Sequence, residues 1–189
     1  KKKLEYNAKN LNDFDAVLLY TGGTLEMDPQ QKADFLSFLR EDGKGLIALH
    51  SAAITWAHWP EYVEAVGGTY DEHPWGTFHA PIVVEDATFP GMSSWPKAFS
   101  LTDEIYQFKA FARKNVHVLM SLDASKLDLS NKNVKRPDHD FAVTWTKQYG
   151  KARVCYTTLG HVPAVWDRPE MRQMLLGAIK WALRLEDQQ

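Results

Sequence analysis

Two short runs of continuous apolar residues stand out in the first third of the chain. Asp15-Ala16-Val17-Leu18-Leu19-Tyr20 closes on Thr21-Gly22-Gly23, and Gly45-Leu46-Ile47-Ala48-Leu49 closes on His50-Ser51-Ala52-Ala53. Such runs, apolar at successive rather than alternate positions, read as strands of a parallel sheet covered on both faces. Between them Phe35, Leu36 and Leu39 recur at helical spacing beside Ala33. Asp28 is placed to cap that helix, with Pro29 at its first position and Gln31 closing a capping box. Gly43 supplies the left-handed residue at its end. Strand, helix and strand make a βαβ unit with a right-handed crossover.

The pattern then becomes less regular. Pro60 to Val66 reads as a short helix closed by Gly67-Gly68, and 69–79 is polar and aromatic, broken by Pro74 and Gly76. Ala80 to Glu85 and Val116 to Ser121 read as strands. Phe141–Thr146 and Arg153–Thr158 read as a hairpin through Tyr149-Gly150. Residues 1–14 read as a polar loop arriving at the first strand, and 126–140 as an exposed excursion. From Pro169 onward, Met171, Met174, Leu175, Ala178, Ile179, Ala182 and Leu185 mark an amphipathic helix. No repeat or linker interrupts the chain, so residues 1–189 are expected to form one domain.

Composition removes several function classes. A net charge of -2 carries no basic footprint for nucleic acid, and no apolar run approaches the roughly 20 residues of a membrane span. The single cysteine, Cys155, lies in a strand pattern as a packing thiol and forbids an internal disulfide. The chain opens on Lys1-Lys2-Lys3 rather than Met, which leaves a cytoplasmic or an exported location open, and homo-oligomerisation is open as well. Seven Trp in one modest domain suit a sugar partner as well as a core.

The candidate chemistry gathers at strand ends. In open α/β sheets ligands bind beyond the carboxyl ends of the strands. His50 follows one apolar strand directly, and Leu159-Gly160-His161 ends another in the same way. His73 and His79 lie in a segment able to close over the two. Thr102-Asp103-Glu104-Ile105-Tyr106 adds two carboxylates and a phenol. These groups suit general acid–base chemistry, a divalent metal such as zinc, or the binding of sugar hydroxyls alone. A metal, if taken, is expected on His50, His73 and His161. Ser51 lacks the glycine-flanked elbow of a serine nucleophile and reads as a helix N-cap, with substrate contact as its functional alternative. His58, His117 and His139 are expected to be surface or structural residues.

The order of these motifs resembles the ThuA-like (trehalose utilisation) family, related to the class I glutamine amidotransferase-like fold. The resemblance rests on Gly45 to Ala52, Trp59-Pro60-Glu61-Tyr62, Gly67-Gly68 with His73-Pro74, and Thr102 to Tyr106. It continues through Trp145, Tyr149-Gly150-Lys151, Arg153-Val154 with Tyr156, Leu159-Gly160-His161 and the last helix with Trp181. It implies a flavodoxin-like, doubly wound, mostly parallel sheet with helices on both faces and a C-terminal hairpin. It also places His50 where amidotransferases carry a nucleophilic cysteine, which excludes thiol-based glutamine hydrolysis. The family's usual opening strand and helix find no match in residues 1–14, and Phe89-Pro90 stands where His-Pro is usual.

The combined reading is an enzyme of carbohydrate metabolism acting on a trehalose-type sugar or keto-sugar, as hydrolase or isomerase. His50, His161, Asp103 and Glu104 are the expected catalytic groups. His73, Trp75, Tyr106, Trp145 and Ser51 are the expected substrate contacts. The alternatives are a non-catalytic sugar-binding module and a metal-dependent hydrolase.

Overall fold

The computed structural model describes residues 8–185; the Lys1–Lys3 opening lies outside them. In chain order the elements are α1 (Ala8–Leu11), β1 (Ala16–Leu19), α2 (Pro29–Arg40), β2 (Gly45–Leu49), α3 (Pro60–Val66), β3 (Thr69–Glu72) and β4 (Thr77–Val84). They continue with β5 (Ala98–Glu104), β6 (Gln107–Lys109), β7 (His117–Leu122), β8 (Ala142–Tyr149), β9 (Ala152–Thr157), α4 (Pro163–Trp166) and α5 (Pro169–Ala182).

Among the described residues seven strands form one sheet in the order β1-β2-β9-β8-β7-β4-β5, and β3 and β6 form a separate two-stranded ribbon. The expectation of a mostly parallel sheet holds for one half only. β1, β2 and β9 run parallel, whereas every pairing from β9 through β8, β7 and β4 to β5 is antiparallel. The chain supplies helical crossovers only between β1 and β2. Beyond them it returns through hairpins and extended segments, which permit antiparallel neighbours. In the parallel part, β2 and β9 deliver their carboxyl ends to one edge of the sheet.

The helices cover both faces. Phe35, Phe38 and Leu39 of α2 and Tyr62, Ala65 and Val66 of α3 pack on Leu46, Ala48, Val154 and Tyr156. Met171, Met174 and Ala178 of α5 pack on the opposite side with Val143 and Cys155. Asp28 accepts from the Gln31 N–H at 2.8 Å while Gln31 Oε1 accepts from the Asp28 N–H at 3.0 Å, the reciprocal capping box. Gly43 is left-handed but lies two residues past the Glu41 cap of α2. Gly67 does cap α3, with φ of 95°.

Other expectations are corrected. Residues 8–11, read as loop, form α1, because Leu11 is buried against the α2 side of the sheet. The 69–79 stretch contributes β3 and the start of β4, and His79 sits exposed on β4, not in a closing loop. No helix among the described residues is long and apolar enough to cross a membrane.

Candidate functional site

β2 ends at Leu49, and His50 begins a single 3-10 turn, His50–Ala53. His50 has φ of 43°, the left-handed region that costs an ordinary residue about 1–2 kcal/mol. Strain of that kind persists only where the surroundings enforce it. Here the His50 carbonyl accepts from the Tyr156 hydroxyl at 2.9 Å, and the ring is pinned from the neighbouring strand. His50 Nδ1 stands 2.6 Å from the carbonyl oxygen of Thr158, just past β9. A carbonyl only accepts, so Nδ1 carries the proton and Nε2 of the neutral ring presents a lone pair. The Tyr106 hydroxyl donates to that Nε2 at 2.7 Å. His50 is 3% exposed, and burial lowers its pKa below the usual imidazole value, against the raising influence of the Thr158 carbonyl, Asp103 and Glu104.

Three groups meet at Nε2. Glu104 Oε2 lies 3.4 Å from it and His161 Nδ1 3.3 Å from it, while Glu104 Oε2 and His161 Nδ1 are 3.5 Å apart. His73 Nε2 approaches the other Glu104 oxygen at 3.7 Å, and His73 Nδ1 lies 3.6 Å from Glu72. Burial pushes the Tyr106 phenol well above its usual range, with the Glu104 carboxylate adding to the effect.

Asp103 and Glu104, both expected as catalytic groups, make different contacts. Successive residues of a strand point to opposite faces, so Asp103 and Glu104 at the end of β5 part company. Asp103 is wholly buried. Its carboxylate accepts from the backbone N–H groups of Gly160 at 2.7 Å and Val162 at 2.9 Å, the residues on either side of His161. Each of its two oxygens is thus engaged by a backbone N–H of the turn that carries His161. Burial raises its pKa, opposed by those two N–H groups. Gly160 takes φ of 113°, and a Cβ there would meet the Trp166 ring at 2.7 Å. The turn that presents His161 therefore needs glycine.

Trp145 is corrected as well. It is fully buried, donates from Nε1 to the Val66 carbonyl at 2.8 Å, and packs on Phe108, Phe111 and Tyr156. It is core, because β8 is covered on that face by α3 and the β3–β6 ribbon. The Trp75 indole is committed to the Asp128 carbonyl at 3.1 Å and to the rings of Phe78 and Phe141. Ser51 lies inside the 3-10 turn, which Leu49 caps, so it is no helix N-cap; it faces Gly22. His58, His117 and His139 are exposed, as expected, and His117 pairs with Asp86.

Two contributors escaped the sequence reading. Tyr20, just past β1, donates to the Gly160 carbonyl at 3.0 Å, and its ring lies 6.4 Å from that of His50. Tyr70 on β3 donates to Glu72 at 3.2 Å and packs edge-on to Tyr106. The signal for Tyr20 was present: it ends a parallel strand as His50 does. Nothing in the local sequence marked Tyr70, because the ribbon it belongs to forms through a long-range pairing.

The family described as trehalose utilisation, ThuA, matches residues 1–182. A ThuA-like protein from Bacteroides uniformis superposes with a TM-score of 0.76 at 23% identity, covering 94% of this chain and 73% of that one. A second, from Parabacteroides merdae, gives 0.70 at 18% identity over 92% and 71%. A cytoplasmic protein of Salmonella typhimurium gives 0.60 at 15% identity over 98% and 76%. At these identities the likeness is one of fold. No functionally curated protein matches the sequence.

Proposed function

The chain belongs to the ThuA, trehalose-utilisation family, and from that premise we propose that it is an enzyme of carbohydrate metabolism acting on a sugar or keto-sugar in the crevice around His50, Glu104 and His161. One observation carries the reading. The proton on His50 Nδ1 is committed to Thr158, so its Nε2 lone pair, which accepts from the Tyr106 phenol, stands beside a carboxylate and a second imidazole. A rigid electron-pair donor at the end of a parallel strand, with acids and bases within 4 Å, suits proton transfer at a carbon or oxygen of a polyhydroxy substrate.

The roles follow from position. His50 is closed to solvent, whereas His161 and His73 have side chains 46% and 42% exposed and stand at the rim. Glu104 lies between them and takes up or returns a proton. Tyr106 and His161 donate to substrate oxygens. Thiol chemistry has no place: Cys155 is fully buried in β9 and burial pushes its pKa up to about 12.

The test is a product-detected screen against disaccharides and their keto derivatives, with and without added divalent metal. Product formation that disappears in His50→Asn supports the reading. Saturable sugar binding with no product from any substrate replaces it with a sugar-binding module.

A further inference from the structure

The triangle formed by His50 Nε2, Glu104 Oε2 and His161 Nδ1 has edges of 3.3, 3.4 and 3.5 Å. These edges are longer than the usual N–H···O separation of about 2.7–3.2 Å. They match another geometry. Zinc holds imidazole nitrogen and carboxylate oxygen at about 2.0–2.2 Å, and a tetrahedron with such bonds sets neighbouring ligand atoms about 3.3–3.6 Å apart. Octahedral neighbours at the same bond lengths would stand only about 2.8–3.1 Å apart. We infer that His50 Nε2, Glu104 Oε2 and His161 Nδ1 form a tetrahedral three-ligand site for a divalent transition ion, zinc being the best match. This differs from the set read in the sequence, because Glu104 takes the place of His73.

Three further features fit. The donor set, two imidazoles and one carboxylate, suits a borderline ion and disfavours calcium or magnesium, which prefer all-oxygen shells. His50 has the arrangement of a metal-bound imidazole: Nδ1–H donates to a backbone carbonyl, which fixes the tautomer and aims Nε2 inward. The triangle is also closed on one side and open on the other. His50 is buried, while His161 is half exposed, so a fourth position is left toward the crevice mouth for water or a substrate oxygen. An ion there would polarise a sugar carbonyl or hydroxyl, or acidify a bound water.

The Tyr106 hydroxyl is the competitor, because it occupies the Nε2 lone pair at 2.7 Å. Ion binding obliges it to give up that acceptor and turn to Glu104. Proton handling then passes to Tyr106 and to His73, which stays beside the second Glu104 oxygen.

The experiment uses the whole chain, stripped with a chelator and then titrated with Zn2+ by calorimetry and with Co2+ by visible absorption. One equivalent of each ion should bind, with cobalt showing the intense bands of tetrahedral coordination. Glu104→Gln and His161→Ala, each checked for folding by circular dichroism, should lower affinity by at least about a hundredfold, beyond the 10–100-fold typical of losing an outer-shell partner. His73→Ala and His58→Ala should keep the stoichiometry. Tyr106→Phe, which removes the competitor, should bind at least as tightly as the parent. The inference is overturned by absence of stoichiometric binding, by octahedral cobalt spectra, or by binding that survives in the Glu104→Gln/His161→Ala double variant. Binding is read without substrate, so the site and the sugar-directed reading succeed or fail separately.

Discussion

The carboxylate of Asp103 and the backbone N–H of Gly160 lie 2.7 Å apart, joining the end of β5 to the turn after β9 across 57 residues of sequence. With the second bond, to the Val162 N–H, this contact brackets His161 and sets where its imidazole stands relative to His50. A buried anion here serves geometry, and its removal strands two backbone donors.

Replacing Asp103 therefore acts first on stability. Asp103→Ala leaves the buried Gly160 N–H and the half-buried Val162 N–H without an acceptor, at about 1–3 kcal/mol for a fully buried donor and less for the other. Chemical denaturation should show a loss of about 2–5 kcal/mol, with Asp103→Asn intermediate because its single amide oxygen can satisfy one of the two. A loss below about 0.5 kcal/mol in the alanine variant would contradict this role.

His50→Asn separates backbone from chemistry. Asparagine tolerates the left-handed backbone that position 50 adopts, but its amide is too short to reproduce both contacts of the ring. The variant should fold, as read by circular dichroism, and lose about 10²–10⁴-fold in turnover on whichever sugar the screen identifies. Turnover like that of the parent would remove His50 from the reacting centre.

Trp145→Phe distinguishes a core residue from a sugar platform. The indole packs against Phe108, Phe111 and Tyr156 and donates to Val66. The substitution leaves a void and an unpaired carbonyl, costing about 2–4 kcal/mol in unfolding measurements. For any sugar the screen identifies, the KM of the folded variant should stay unchanged, and a large rise in KM at constant stability would restore the substrate-contact reading.

Asp86 makes part of the stability pH-dependent. The Thr88 hydroxyl and then His117 hold its carboxyl down at about 2, below its ordinary 3.8. A carboxyl with a depressed folded-state pKa stabilises above the unfolded value and loses that contribution as pH falls through the folded one. Urea titrations between pH 4 and pH 2 should therefore show a steeper loss for the parent than for Asp86→Asn. Parallel curves would show that the contact contributes nothing.

How much was legible in the sequence follows the range of each interaction. The βαβ unit, the capping box at Asp28–Gln31 and the hairpin of β8 and β9 rest on patterns within a few residues, and all are present. His50 and His161 could be named because each follows an apolar strand pattern, His161 standing four residues past β9, and Glu104 and Tyr106 because they lie close together in a polar stretch. The roles within that stretch were not legible. Asp103 and Glu104 are neighbours of like charge, and only the pleat of β5 together with the turn at Gly160 sends one to the Gly160 N–H and the other to His50. Trp145 looks like a binding aromatic until α3 and the β3–β6 ribbon cover it.

The sequence by itself determined which residues end strands, which helices are capped, and that histidines and carboxylates were available for a site, because these depend on neighbours in the chain. The tertiary structure decided which of them meet. The distances of 2.6 Å from His50 to Thr158 and 3.3–3.5 Å among His50, Glu104 and His161 join residues 54 to 111 positions apart. No local pattern encodes such separations. They arise because parallel β2 and β9 end at the same edge of the sheet, and because the end of β5 and the residues after it bring Glu104 and Tyr106 to His50 at that edge.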